Sequence, residues 1–485
     1  MNWKPTPRRA AWVLILVNLA LWLIPSDVAR QIARDRQTIL GFYSLEKFTA
    51  QLGLLLLSLP ALYILLAAPD RRRRRIFRVA AILLVLLPGL VAVDLVARSL
   101  RTGQYVQEQT SYHRAPNYHI PLAFVDAPLA KRTYPNAPPG YPTIQGRFTC
   151  DSRGFRNAGQ SDTCDIVAVG DSFVEGPEVS DEHPWPVHLA GRTGLKVYNA
   201  GMAGGNTHDY LLNLENIALK LRPRLAMVMI FEGNDFRGTG IAIDRDERED
   251  DVAHGRVELF FKVSPLVLAA RRLIENHLAP INCDGWVPNA QALALMPIRL
   301  GPPGAQKPYT FDPKALLAFD KSAQEFAAGR GFLDSRRAIL EMASDCRKQA
   351  AQLVIVYAPH KAHILMPLIA DQADTLRGFL SLVKRGLPPA GQLVPRLIER
   401  VEAPEKATAD LCRTEGIHFV SLTAALRDQL LRGRQVYFTY DQHWTPEGHQ
   451  VVAATVEEYL RSQGLPAAPS SQPSTAPSTQ ATSGR

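Results

Sequence analysis

Ser172 is the residue whose surroundings most invite chemistry. It lies in Asp165-Ile-Val-Ala-Val-Gly-Asp-Ser-Phe-Val-Glu-Gly176, where the apolar run Ile166 to Val169 reads as a short buried strand. Gly170-Asp171-Ser172 breaks that strand ahead of a helix-prone segment. In an open α/β sheet the carboxyl ends of the strands line the crevice where ligands bind, so a hydroxyl set there faces substrate. A serine hydroxyl is a weak nucleophile alone. It needs a base for its proton, an acid to orient that base, and donors for the developing oxyanion.

The chain offers a candidate for each need. After the strand-like Leu195-Lys-Val-Tyr198 comes Asn199-Ala-Gly-Met-Ala-Gly-Gly205, a turn whose glycines let main-chain N–H groups approach a ligand. The run Leu225-Ala-Met-Val-Met-Ile-Phe231 ends in Glu232-Gly-Asn-Asp235, where Asn234 carries an amide donor. Late in the chain, Tyr440-Asp-Gln-His-Trp-Thr-Pro-Glu-Gly448 supplies an acid, Asp441, and an imidazole, His443, two residues apart and just before a helix. His208 is the rival base, just past the glycine turn, but its acid Asp209 is an immediate neighbour and should point elsewhere. Asp441, His443 and His449 match no common metal-ligand spacing, and no cofactor is expected.

The order of these four blocks resembles the SGNH (GDSL) serine hydrolase family, named for a nucleophilic Ser, an oxyanion Gly, an oxyanion Asn and a catalytic His. The resemblance spans about residues 165–460. It implies Ser172 as nucleophile, His443 as base and Asp441 as its orienter. The Ser172 N–H, Gly204 and the Asn234 side chain would form the oxyanion hole, Gly204 aligning better than Gly205. It also implies a flavodoxin-like three-layer α/β sandwich of about five parallel strands. One departure matters: many members separate acid and base as D-x-x-H, whereas here the spacing is D-x-H, followed by Trp444-Thr445. That form is similar to the branch containing the alginate O-acetyltransferases and related polysaccharide acetylation proteins. The branch often carries P-x-K after the fourth strand, where Pro359-His-Lys361 stands, with His360 and Lys361 expected at the rim of the site. The expected activity is therefore a serine esterase acting on acyl, foremost acetyl, esters of an envelope glycan or lipid. The alternative passes the acyl group to a sugar hydroxyl, which adds a membrane-bound acyl-donor protein as partner. A non-catalytic membrane scaffold is the third reading, and an intact triad argues against it.

The elements that must position these residues follow from residue 165 onward. Strand and helix patterns alternate, with later strands at Leu353–Tyr357 and Ile417–Leu422 and a helical pattern at Ser335–Ala350. The catalytic domain is expected over 165–464, interrupted by an insertion at about 236–334. Within the insertion, 244–251 is a charged, solvated run, and the Pro- and Gly-rich 280–310 should shape a cleft or lid. Thr445 followed by Pro446 reads as an N-cap with proline at the first helical position. The Pro, Ser, Thr and Ala of 465–485 predict a disordered tail.

Residues 1–97 are a membrane region with three expected spans, at about 10–25, 49–69 and 76–97. The first follows Lys4, Arg8 and Arg9 and is either a spanning anchor or a cleaved signal peptide, and the lack of a clear A-x-A site after it favours the uncleaved anchor. Net charge is +9, but Arg71 to Arg75 sit beside apolar segments with no nucleic-acid signature, which favours membrane topology over a nucleic-acid partner. By the positive-inside rule, residues after Arg98 lie outside the cytoplasm, on the periplasmic face of the inner membrane. Residues 98–164 read as an extended connection with short strands. Cys150 and Cys164 bracket a loop that a disulfide would stabilise by roughly 3 kcal/mol in an oxidising compartment, and two unpaired thiols are the equal alternative. With five cysteines, at least one is left over.

Overall fold

The apolar run Leu225–Phe231 is buried at every position, which only a strand covered on both faces permits. It is the central strand of the structure, a computed structural model that describes residues 6–23, 45–101, 106–107, 111–126, 138–159, 161–236, 295–312, 315–316, 320–381, 384 and 386–465. Among these the strands are β1 (Val106–Gln107), β2 (Tyr112–His113), β3 (His119–Phe124), β4 (Ile144–Thr149), β5 (Ile166–Gly170), β6 (Val197–Gly201), β7 (Leu225–Phe231), β8 (Met296–Leu300), β9 (Lys307–Phe311), β10 (Gln352–Ala358) and β11 (His418–Ser421). Five of them form one sheet in the order β11-β10-β7-β5-β6, all parallel. From β5 the chain moves outward to β6, then returns past β5 to β7 and continues the other way. This is the flavodoxin-like order, and it puts the topological switch point at the carboxyl ends of β5, β6 and β7.

Period-two alternation explains the layers. Ile166, Ala168, Met227, Met229, Val354 and Val356 pack on one face with Trp185, Leu189, Leu426, Val452 and Val456. Val167, Val169, Ala226, Val228, Ile230 and Ile355 pack on the other with Tyr210, Ile339, Met342 and Leu411. Helices thus cover both sides of the sheet, and the chain has the three-layer SGNH hydrolase fold.

Two parts differ from the sequence expectation, and a third settles an open alternative. The 98–164 segment does more than connect. β3 and β4 form a six-pair antiparallel hairpin; Arg114 pairs with Glu175 of the turn that follows β5, Arg156 donates to the carbonyls of Glu175 and Val179, and Asp126 accepts the Asp441 N–H. Within the insertion, residues 296–311 form a β8–β9 hairpin whose Met296, Ile298, Tyr309 and Phe311 enter the main core, so this stretch is core and not lid. Apolar alternation at 296, 298, 309 and 311 outweighs the local Pro and Gly content. Cys150 and Cys164 are both buried and unpaired, each thiol pushed up to about 12 by burial. The charged run 244–251, Cys283 and the tail beyond 465 lie outside the described residues.

The N-terminal region contains helices Pro7–Leu23, Leu45–Leu65 and Pro69–Arg101. The first two meet through Asn18, whose amide donates to Ser58 Oγ at 3.0 Å, the kind of polar contact that joins apolar helices. The third begins earlier than expected and takes Arg71–Arg75 into its opening turns. Among the described residues one helix is long and apolar enough to cross a membrane, Pro69–Asp94, with a shorter apolar stretch at Gln51–Leu65.

Candidate active site

Each strand at the switch point ends in one of the candidate residues. After β5, Asp171 caps the one-turn helix Ser172–Glu175, its Oδ1 accepting the Phe173 N–H at 2.9 Å. The cap is therefore Asp171, and Ser172 takes the first helical position, where its own N–H has no partner among the described residues. The turn packs against β6 so closely that a Cβ on Gly201 would meet Glu175 N at 2.4 Å. Beyond β6, Gly204 has φ +82°, a left-handed conformation that suits glycine. Gly205 spends its N–H on Met202 O at 3.0 Å, whereas among the described residues the Gly204 N–H has no partner.

Ser172 Oγ lies 2.7 Å from His443 Nε2. His443 Nδ1 lies 2.6 Å from Asp441 Oδ1, and the same oxygen accepts the His443 main-chain N–H at 2.8 Å. That double engagement shows how a two-residue spacing suffices: the carboxylate turns back on the main chain of residue i+2 and on its ring together. His208 is instead buried on the helix Thr207–Asn213, its N–H donating to the Asn206 cap at 2.9 Å. Thr445 caps the helix Pro446–Ser462 by accepting from Gly448 N, with Pro446 at the first position, as the sequence predicts.

Asn234 follows β7. Its Nδ2 donates to Asp171 Oδ2 at 3.2 Å and to Gly205 O at 3.1 Å, and its Oδ1 is buried with no partner among the described residues. The amide thus ties the nucleophile turn to the glycine turn, and both its hydrogens are in use through long bonds.

The match to protein families agrees with this geometry: residues 168–451 fit the GDSL-like Lipase/Acylhydrolase family. The chain belongs to that family. It is an ester-hydrolysing serine hydrolase of the GDSL type. Similar solved structures include a lipolytic protein of the G-D-S-L family from Desulfitobacterium hafniense, 12% identical, covering 61% of this chain and 98% of that one at a TM-score of 0.29. TesA is 13% identical, with 61% and 98% covered at 0.30. The lipase/acylhydrolase from Enterococcus faecalis is 13% identical, with 61% and 95% covered at 0.28. No curated protein matches the chain.

The hydrolase also contains residues that sequence reasoning missed or misplaced. Lys361, expected at the rim, is buried beneath the acid–base loop. Its Nζ donates to the carbonyls of Phe438 at 3.2 Å, Thr439 at 3.1 Å, Tyr440 at 3.2 Å and Asp441 at 2.7 Å. Burial lowers its pKa to about 8. Asp126, from the connection, accepts the N–H groups of Thr439 at 2.8 Å, Tyr440 at 3.1 Å and Asp441 at 3.0 Å, and that of Tyr141 at 2.9 Å. One buried cation and one buried anion thereby satisfy the main chain of 438–441 and fix where Asp441 stands. Thr310 of β9 donates its N–H and hydroxyl to Thr439 O, at 2.7 and 2.8 Å, bracing the same loop. His360 is likewise buried. Its ring caps the helix Lys361–Leu365, and its N–H donates to Glu232 Oε2 at 2.8 Å.

The electrostatics centre on His443. Burial opposes its charge, but Glu178, Asp441 and Asp171 outweigh that and raise its pKa to about 9. Burial raises Asp171 to about 6. Glu178, which nothing in the sequence pattern singled out, has Oε1 3.1 Å from His443 Nδ1. Glu178, Asp441 and His443 offer ligand atoms within 4.8 Å of one another, close enough by distance for a cation. The shared atom, His443 Nδ1, is already bonded to Asp441, and no step below uses a metal. His449, from the set first considered for a metal, is turned elsewhere: its Nδ1 accepts the Trp185 N–H at 3.2 Å.

Proposed function

We propose that this hydrolase is a membrane-anchored esterase that removes acyl groups, acetyl foremost, from a cell-envelope glycan or lipid through an acyl-Ser172 intermediate. The observation that carries the mechanism is the Ser172–His443–Asp441 chain of short hydrogen bonds, 2.7 and 2.6 Å. His443 Nε2 takes the hydroxyl proton as Oγ attacks the ester carbonyl, and Asp441 holds the ring in the tautomer that leaves Nε2 free. The oxyanion forms against the Ser172 and Gly204 N–H groups, and Asn234 supplies a third donor by giving up its long contact to Asp171. The alcohol leaves with the proton from His443. Water then attacks the acyl-enzyme with the same base.

A transferase reading, in which a sugar hydroxyl replaces that water, is favoured by one feature, the D-x-H-W-T block with its P-x-K partner. Lys361 of the P-x-K bonds directly to the Asp441 carbonyl, so the two motifs form one unit. Incubating the full-length protein with an activated acetyl ester, with and without exported polysaccharide, separates the readings. Free acetate at an unchanged rate supports the esterase. Acetylated glycan formed at the expense of acetate supports the transferase. No turnover in either would overturn both.

The membrane reading rests on Pro69–Asp94 with Arg71–Arg75 at its leading end. Basic residues favour the cytoplasmic side, so the chain after Arg101 should lie outside. Alkaline phosphatase fused after Arg101 is expected to be active. An inactive fusion, with an active cytoplasmic reporter at the same junction, would place the hydrolase inside.

A further inference from the structure

Glu178 comes from the loop that follows the nucleophile helix, not from the loop carrying Asp441 and His443. Its side chain is nearly buried, with Oε1 3.1 Å from His443 Nδ1 and Oε2 buried with no partner among the described residues. Nδ1 carries one hydrogen in the working tautomer, and Asp441 Oδ1 already accepts it at 2.6 Å. We propose that Glu178 is a positioning residue, a second carboxylate that shares the Nδ1 hydrogen of His443 with Asp441 and serves as counter-ion to the imidazolium. The inference rests on the reading of Ser172 as nucleophile and His443 as its base.

The two acids differ in ways that suit different tasks. Asp441 has a third of its side chain exposed, its loop is clamped by Lys361 and Asp126, and its pKa lies below the ordinary carboxylate value: burial raises it, but bonding to His443 more than offsets this. Glu178 is buried, lacks any second partner for its outer oxygen, and is raised to about 7 by that burial. A buried carboxylate with an unsatisfied oxygen is costly unless a positive charge adjoins it. That charge appears when the Ser172 O–H bond breaks, the Nε2–H bond forms and Oγ bonds to the acyl carbon. Nδ1 keeps its hydrogen throughout, pointed between the two carboxylates. Starting from the neutral, working imidazole, Glu178 therefore stabilises the imidazolium formed in the step more than the neutral ring, which is the condition for accelerating that step.

The other charged groups act on this cluster as follows. Asp171 acts on the ring itself, Glu175 on Glu178 and Lys361 on Asp441, while the ring and His449 of the helix Pro446–Ser462 interact weakly as like charges. The Glu178 charge raises His443, and Asp441 raises it through both its hydrogen bond and its charge.

The test is kcat/KM for p-nitrophenyl acetate against pH, on the full-length enzyme, for wild type, S172A, E178Q, E178D, D441N and D441N/E178Q. E178Q keeps the volume and removes the charge, so the acidic limb should move down by about 1 pH unit and the high-pH plateau should fall. E178D keeps the charge and should leave the limb nearer that of wild type. D441N should retain roughly tenfold more activity than D441N/E178Q, because Glu178 still orients the ring. A purely structural role for Glu178 would lower the plateau without moving the limb. E178Q and E178D limbs superimposed on wild type, or D441N as inactive as the double variant, would overturn the proposal. Should E178Q not fold, E178A, which also removes the charge, takes its place in the limb comparison and, as D441N/E178A, in the comparison with D441N. S172A separates the two claims: if it turns over, the nucleophile reading fails, and if it is dead while the limb stays fixed, only Glu178 fails.

Discussion

Replacing Ser172 or His443 with Ala should each abolish turnover, by on the order of 10⁴- to 10⁶-fold, and the double variant should be no worse than either. The non-additivity follows from the 2.7 Å bond between Oγ and Nε2: the imidazole acts on one hydroxyl, so removing either partner removes the whole unit. Remaining activity would come from the oxyanion donors and binding alone. Folding should survive, because Ser172 stands at the first position of a helix capped by Asp171, which the substitution leaves intact. Steady-state kinetics of the two single variants and the double, each checked by thermal melting, measure this. Activity retained in His443→Ala and lost only when His208 is also replaced would reassign the base. In wild type the base works as the neutral imidazole. With a resting pKa near 9, most of the ring is protonated at pH 7, and activity should climb as pH rises toward that value.

Asn234→Ala should cost about a hundred- to a thousandfold in kcat, or roughly 2.7–4 kcal/mol, the loss typical of one oxyanion donor. The structure adds a second reason for sensitivity. The Asn234 amide bridges Asp171 Oδ2 and Gly205 O, so it also sets the spacing between the turns that carry Ser172 and Gly204. Asn234→Asp separates the two effects. It keeps the size but sets a carboxylate against the oxyanion and against Asp171, and should be at least as slow as Ala. Full turnover in a folded Asn234→Ala would show that Asn234 is neither an oxyanion donor nor a brace that catalysis needs.

The positions of the sheet strands were legible because β5, β7 and β10 are near-continuous apolar runs, each followed by a polar or glycine-rich break, whereas the flavodoxin-like arrangement was implied by the family resemblance. The meeting of Ser172 with His443 across 271 residues was implied by the resemblance, and placing both at strand or helix ends on one rim was consistent with it. Three things were hidden for physical reasons. Glu178 is an acid among loop residues, and nothing local marks it as buried or aimed at an imidazole. Asp126 acts through main-chain N–H groups of a loop more than 300 positions away, a contact that side-chain spacing does not encode. Lys361 looked like a rim residue because lysines are rarely buried, yet four carbonyls of 438–441 converge on it. The β8–β9 hairpin was masked by the prolines and glycines of its turn, although its alternating apolar residues signalled a strand.

The central claim is that Ser172 carries the acyl group. The most direct measurement is peptide mass spectrometry of the full-length protein, quenched in acid during turnover of an activated acetyl ester. An acetyl adduct on the peptide containing Ser172, absent from Ser172→Ala and accumulating at low pH where His443 is protonated and deacylation is slow, is the predicted result. Turnover of the ester with no adduct on that peptide, or an adduct that persists at another residue in Ser172→Ala, would contradict the account.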